Sequence, residues 1–177
     1  ADVITISSLH KNAGAGGVFL ALSCDYVVGK ENVVLNPHYK TLGLSGSEYH
    51  TYTLPKRVGK EKAKELLENC LPISIQKAKK IALVDEVFKA ENYFDTMRAY
   101  AQSFVEDEER YDDFILNKQE DLEKNQNFIN SCKENELKIM HSEFWDENSS
   151  FHKLLYDFVY KVVANITPTR LQSQETK

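Results

Sequence analysis

The chain has 177 residues and a mass of 20.3 kDa, 42% hydrophobic and 28% charged, a balance that excludes wholesale disorder and is long enough for a packed core. Its net charge of −5 and pI near 5.6 argue against a nucleic-acid partner, because neutralising phosphates takes clustered Lys and Arg. The longest apolar stretch, residues 14–22, is far shorter than the ~20 residues that cross a bilayer, so no membrane partner is expected.

The opening Ala-Asp-Val-Ile-Thr-Ile has no basic region followed by an apolar run, so it does not read as a signal peptide. A strand starts at once and no Met precedes it, so the chain is expected to be a piece of a longer polypeptide. Residues 3–35 read as strand, glycine loop, helix, strand, turn and strand, which predicts an α/β layered fold. The helix Val18-Phe19-Leu20-Ala21-Leu22 is apolar nearly all round and should be buried. Asn36-Pro37 begins a loop, and a helix is predicted over 47–58, with Pro55 expected to kink or split it and Gly59 to stop it. Helices follow over 61–70 and 75–82, the second capped by Ser74, and then a short strand over 84–88.

The second half changes character. Residues 91–141 contain neither Gly nor Pro, charges are dense, and aromatics recur at helical intervals. Two or three amphipathic helices are expected there, then a last helix over 151–165 and a disordered tail over 172–177. The division is therefore an α/β part, 1–88, and a helical C-terminal region, 89–177. Cys24, Cys70 and Cys132 lie too far apart for a CxxC knuckle or a disulfide framework, which points to a reducing cytoplasm. No His, Cys or carboxylate spacing suggests a metal site.

The strongest local signal is Gly14-Ala15-Gly16-Gly17 at the start of a helix. Glycines there can aim an N–H at a developing oxyanion; the same residues also serve a tight strand-to-helix turn with no chemistry. Asn-Ala-Gly-Ala-Gly-Gly-Val-Phe-Leu-Ala-Leu-Ser-Cys-Asp, residues 12–25, resembles the second oxyanion segment of the crotonase (enoyl-CoA hydratase/isomerase) superfamily. There, a Gly-Gly-Gly helix start precedes Glu-Leu-Ala and Cys-Asp. Leu54-Pro55-Lys56-Arg57-Val58-Gly59, Ile73-Ser74-Ile75-Gln76-Lys77-Ala78 and Ala82-Leu83-Val84-Asp85 resemble further motifs of the superfamily in the same order.

The resemblance implies the C-terminal portion of a ββα spiral closed by helices, lacking the turns that supply the first oxyanion donor and most of the CoA-binding loop. It places Gly16 at the oxyanion N–H, with Gly17 and Phe19 beside the cofactor. The two hydratase glutamates fall at Phe19 and near His38 or Tyr39, so the acid/base pair that adds water to a double bond is absent. Asn12–Phe19 as written, Val-Val-Leu-Asn-Pro-His-Tyr-Lys at 33–40 and Gly-Ser-Glu-Tyr at 46–49 are similar to the C-terminal part of the hydrogenase maturation factor branch of the superfamily.

That similarity implies formyl-CoA as the substrate, split to carbon monoxide and coenzyme A for the nickel–iron hydrogenase maturation machinery. It also implies a tetrahydrofolate-dependent region, N-terminal to this chain, as the formyl source. His38, Tyr39 and Tyr49 are the candidates for moving the formyl proton. Each also has a purely structural reading: a loop histidine paired with backbone, and core tyrosines with satisfied hydroxyls. Glu48 reads as a solvated helix residue, Cys24 and Cys70 as buried thiols, and Lys56 and Arg57 as surface cations. Other acyl-CoA chemistry (isomerase, thioesterase or decarboxylase) and a non-catalytic helical interaction module remain the alternatives.

Overall fold

The structure is a computed structural model that describes residues 2–162. The last helix ends at Val159, short of the expected 165, and Lys161 beyond it takes a left-handed conformation at φ 52°; the expected tail over 172–177 lies outside the described residues.

Two small sheets carry the first half. The strand β1 (Ile6–Leu9) pairs in parallel with β3 (Tyr26–Lys30), which pairs in parallel with β6 (Glu86–Phe88). The short β2 (Ala13–Gly14) pairs in parallel with β4 (Val34–Asn36), which takes β5 (Ile73–Ser74) antiparallel. Helix α1 (Gly16–Leu22) lies between β2 and β3, and α2 (His50–Val58), α3 (Lys60–Asn69) and α4 (Ile75–Lys80) complete this half. It has the α/β architecture that its alternating pattern predicted. Val18, Phe19, Val27, Leu35, Leu54, Ile75 and Leu83 form the centre of the core. Leu20, by contrast, is 62% exposed, so α1 has one open face.

Charged residues join the pieces. Arg57 donates to Asp85 at 3.0 Å and to the carbonyls of Cys24 and Asp25. Asp85 also accepts the Val27 amide at 2.6 Å. The Cys-Asp, Arg-Val-Gly and Leu-Val-Asp motifs therefore meet at one buried joint. Pro55 does not divide α2, because Leu54 beside it is fully buried and core packing carries the helix past the missing hydrogen bond. The helix starts at His50 rather than Ser47 because Tyr49 takes a left-handed conformation, φ 55° and ψ 24°. Ser74 caps α4 as expected, accepting the Lys77 amide.

The second half is helical: α5 (Tyr93–Ser103), the 38-residue α6 (Glu108–Trp145) and α7 (Ser150–Val159). At ~1.5 Å per residue, α6 is about 57 Å long. Its start and α5 close over β3 through a cluster of Tyr26, Tyr100, Phe104 and Phe114. Lys118 of α6 meets Asp25 at 2.7 Å, and Lys56 pairs with Asp121. Among the described residues, no helix is long and apolar enough to cross a membrane.

Candidate functional site

Ala15 opens the glycine loop at φ 46°, ψ −122°, and its amide bonds to Asn36 of β4 at 2.9 Å. Its carbonyl accepts the amides of Val18 and Phe19, which starts α1 immediately. The Gly16 backbone lies against the Tyr39 hydroxyl and Glu48, both of which a Cβ at Gly16 would overlap. Tyr39 in turn donates to Glu48 Oε1, and Glu48 Oε2 accepts the Ser47 amide at 3.0 Å. Glycine backbone, phenol and carboxylate thus converge, the last two joined by a hydrogen bond.

Close approach makes two glycines necessary. A Cβ at Gly16 would stand 2.9 Å from Glu48 Oε1 and closer still to the Tyr39 hydroxyl. At Gly46, held at φ 93°, it would stand 2.6 Å from two Tyr39 ring carbons. The Tyr39 ring is thus confined between the Gly46 backbone and Phe19, whose ring centroid is 5.8 Å away. Burial, and then the hydrogen bond and negative charge of Glu48, push the Tyr39 hydroxyl above the usual tyrosine range. Tyr39 therefore stays protonated at neutral pH. It can donate a proton but is not a resting base.

The remaining expected residues fall in different places. Phe19 is fully buried under Tyr39 and stacks on His50 at 4.7 Å. It supports the site from the core and offers no surface to a cofactor, because its helix face turns inward. Gly17 is exposed, and a Cβ there would meet only Ala13 at 3.8 Å, so the structure gives it no part in the chain of hydrogen bonds. Tyr49 contributes its amide, which donates to Glu136 at 2.8 Å, while its ring is 37% exposed. His38 is buried and lines a cavity of about 590 Å³ with Gly14, Ala15, Leu42 and, from α7, Leu154 and Phe158. The size of this cavity is that of a small-ligand pocket, but Gly16, Tyr39 and Glu48 are not part of its lining.

The contacts of three carboxylates around the site were illegible in sequence. Glu48 lies outside α2 and turns to Tyr39 instead of water. Glu136 is 2% exposed and accepts the Tyr49 and Thr51 amides, each at 2.8 Å, and the Thr51 hydroxyl. Glu143 accepts the Ser45 amide at 2.9 Å and its hydroxyl. His50 Nδ1 lies 3.5 Å from Glu136 without making a hydrogen bond. Burial holds this histidine below its usual pKa against the pull of Glu136 and Glu48, so it is neutral at pH 7.

Another cavity, about 640 Å³, lies past the C-terminal end of α1 and is lined by Cys24, Asp25, Tyr52, Lys56, Arg57 and Lys118. Its cations are each paired with a carboxylate, and neither Tyr39 nor Glu48 is part of its lining. Lys56 and Arg57 thus make ion pairs within the protein, and Arg57 is mostly buried rather than a surface cation. Cys24 is half-buried, while Cys70 and Cys132 are buried; all are free thiols. Among the described residues, no group of three or more His, Cys, Asp or Glu is placed to hold a metal ion.

The enoyl-CoA hydratase/isomerase family model matches residues 1–165. The chain belongs to that family. It is 34% identical to the hydrogenase maturation factor HoxX of Bradyrhizobium diazoefficiens over 170 residues, 94% of this chain and 30% of that protein. HypX from Aquifex aeolicus, solved in complex with tetrahydrofolic acid, superposes with a TM-score of 0.87 at 43% identity over 95% of this chain and 30% of that one. The chain thus spans less than a third of the length of these relatives. An enoyl-CoA hydratase/isomerase from Pseudoalteromonas atlantica shares the fold at 17% identity and TM-score 0.79, over 92% of this chain and 64% of that one. The family membership and the crotonase-like α/β fold expected from the glycine loop and its companion motifs are both found.

Proposed function

We propose that this chain carries the formyl-CoA decarbonylation centre of a hydrogenase maturation protein, with Tyr39 and Glu48 as the acid and base. The observation that carries the proposal is the Tyr39–Glu48 hydrogen bond, packed against the Gly16 backbone, in a family member that lacks the hydratase glutamates. On this reading, the formyl hydrogen leaves carbon as a proton taken by Glu48. The C–S electron pair passes to sulfur, and the carbon departs as CO. Tyr39 gives its proton to the thiolate, and the proton on Glu48 returns to Tyr39. The sum is formyl-CoA to CO and CoA, with no other reactant. The thioester oxygen would take the Gly16 amide as its donor, which polarises the carbonyl.

The likeness to HoxX, and to a HypX solved with tetrahydrofolic acid, supports further parts of the proposal. A folate-dependent region would supply the formyl group, the product would serve nickel–iron hydrogenase maturation, and the protein would work in the cytoplasm. Residues 1–88 would form the crotonase-like core and 89–177 the helical region that braces it. The test is CO trapped by reduced myoglobin from formyl-CoA, using the complete protein that contains this chain. One CO per CoA thiol is expected, with a loss of about 10²–10⁴-fold in Glu48→Gln, the usual reach of general acid–base catalysis. Thiol release without CO would replace this reading with a thioesterase.

A further inference from the structure

We propose that the long helix α6 is the positioning element of the site, with Glu136 and Glu143 holding the segment 45–51 so that Glu48 meets Tyr39. This rests on the reading of Tyr39 and Glu48 as the reacting pair. The two glutamates lie seven residues apart, which puts them on one face of a helix, two turns from each other. Glu143 takes the amide and hydroxyl of Ser45, and Glu136 takes the amides of Tyr49 and Thr51 and the Thr51 hydroxyl. Their contacts bracket Glu48 on both sides in sequence. Of the whole of α6, only Cys132 and Glu136 are buried, so the part of this helix most withdrawn from water is the part that grips the segment.

The segment needs an external hold. It contains no helix or strand before His50, and it bends through Gly46 at φ 93° and Tyr49 at φ 55°. The left-handed conformation is unfavourable for tyrosine, and something beyond the local backbone must maintain it. Within the segment, Glu48 itself is fixed by the Ser47 amide. Glu136 is saturated by three donors and lies under the Tyr49 turn, so it is no proton acceptor for substrate. It acts through Glu48.

The experiment uses the complete protein with Glu136→Gln and, at the more accessible end, Glu143→Gln. Amide hydrogen exchange over 45–53 is read alongside kcat, KM and the pH–rate profile for CO release from formyl-CoA. Each variant is expected to exchange at least tenfold faster in that segment. Each should also lose at least tenfold in kcat with KM within about twofold and the shape of the pH profile kept, whereas Glu48→Gln removes the limb that depends on the carboxylate. Faster exchange with unchanged kcat overturns the proposal, as does a lost kcat with exchange over 45–53 unchanged. If the wild-type protein forms no CO, the assigned reaction fails, and exchange over 45–53 alone then decides whether α6 holds the segment.

Discussion

Gly16→Ala isolates the contact on which the chemistry depends. Gly16 is not in the left-handed region, so alanine suits its backbone, and the added methyl is the perturbation. That methyl would stand 2.9 Å from Glu48 Oε1 and closer to the Tyr39 hydroxyl, whereas ordinary contact begins at 3.4 Å. Glu48 must withdraw by about 0.5 Å and the hydroxyl by about 1 Å. Tyr39 has little room to retreat, because Phe19 lies on one side and the Gly46 backbone, 2.6 Å from the ring measured from a built Cβ, on the other. The hydroxyl therefore shifts away from Glu48, and a misplacement of about 1 Å costs on the order of 10²-fold in rate. Stability changes less. Losing a hydrogen bond to a charged group costs about 1.5–3 kcal/mol, and replacing glycine in a helix returns up to about 1 kcal/mol. The fall in Tm should stay within about 8 °C for a chain of this size. CO release and thermal melting, measured together, check this, with Gly17→Ala as the size control because its methyl meets only Ala13 at 3.8 Å. A Gly16→Ala protein that melts normally and releases CO at the wild-type rate would refute the assigned geometry.

Further outcomes follow from the same contacts. Tyr39→Phe removes the proton donor while keeping the ring on Phe19, so CO release should fall about 10²–10⁴-fold with little change in melting temperature. His50 has a folded-state pKa below its unfolded value because it is buried, so the unfolded chain binds more protons under mildly acidic conditions. Stability should decline as pH falls below about 6.5, and His50→Phe, which keeps the stack on Phe19, should flatten that decline in pH-dependent melting curves. Tyr39 and Tyr100 are raised, the latter to about 12, first by burial; their stabilisation is complete below pH about 10 and should be lost above it, visible as alkaline unfolding with phenolate absorbance. Gly29→Ala puts a methyl 2.5 Å from Ile75 Cγ1 and Cδ1 and should destabilise by about 1–3 kcal/mol in denaturant unfolding, with Ile75→Ala in the same chain costing less than the sum of the two.

The fold was legible where local pattern controls it. The glycine loop, the alternating strands and the Ser74 cap each depend on neighbours in sequence, and the structure keeps them. The Asp25, Arg57 and Asp85 motifs were recognisable because they meet at one joint that the architecture requires. The site was legible only in part. Gly16 and Tyr39 were named, but not that the two meet. Glu48 follows Tyr39 by nine residues through a glycine-rich bend with no periodicity to link them. Glu136 contacts Tyr49 across 87 positions, from a charged helix where one buried glutamate looks like its solvated neighbours. Long-range carboxylate contacts of this kind leave no local signature. Phe19 was misplaced for a related reason: its position in the motif marks a catalytic slot, yet a phenyl ring there turns into the core.

The most direct test of the account follows the formyl atoms themselves. Formyl-CoA labelled with carbon-13 and deuterium at the formyl group is given to the complete protein, and its products are read by mass spectrometry and NMR. Proton removal by Glu48 predicts carbon-13 monoxide in step with free CoA, with the deuterium lost to water. Carbon-13 formate that still carries its deuterium would contradict it.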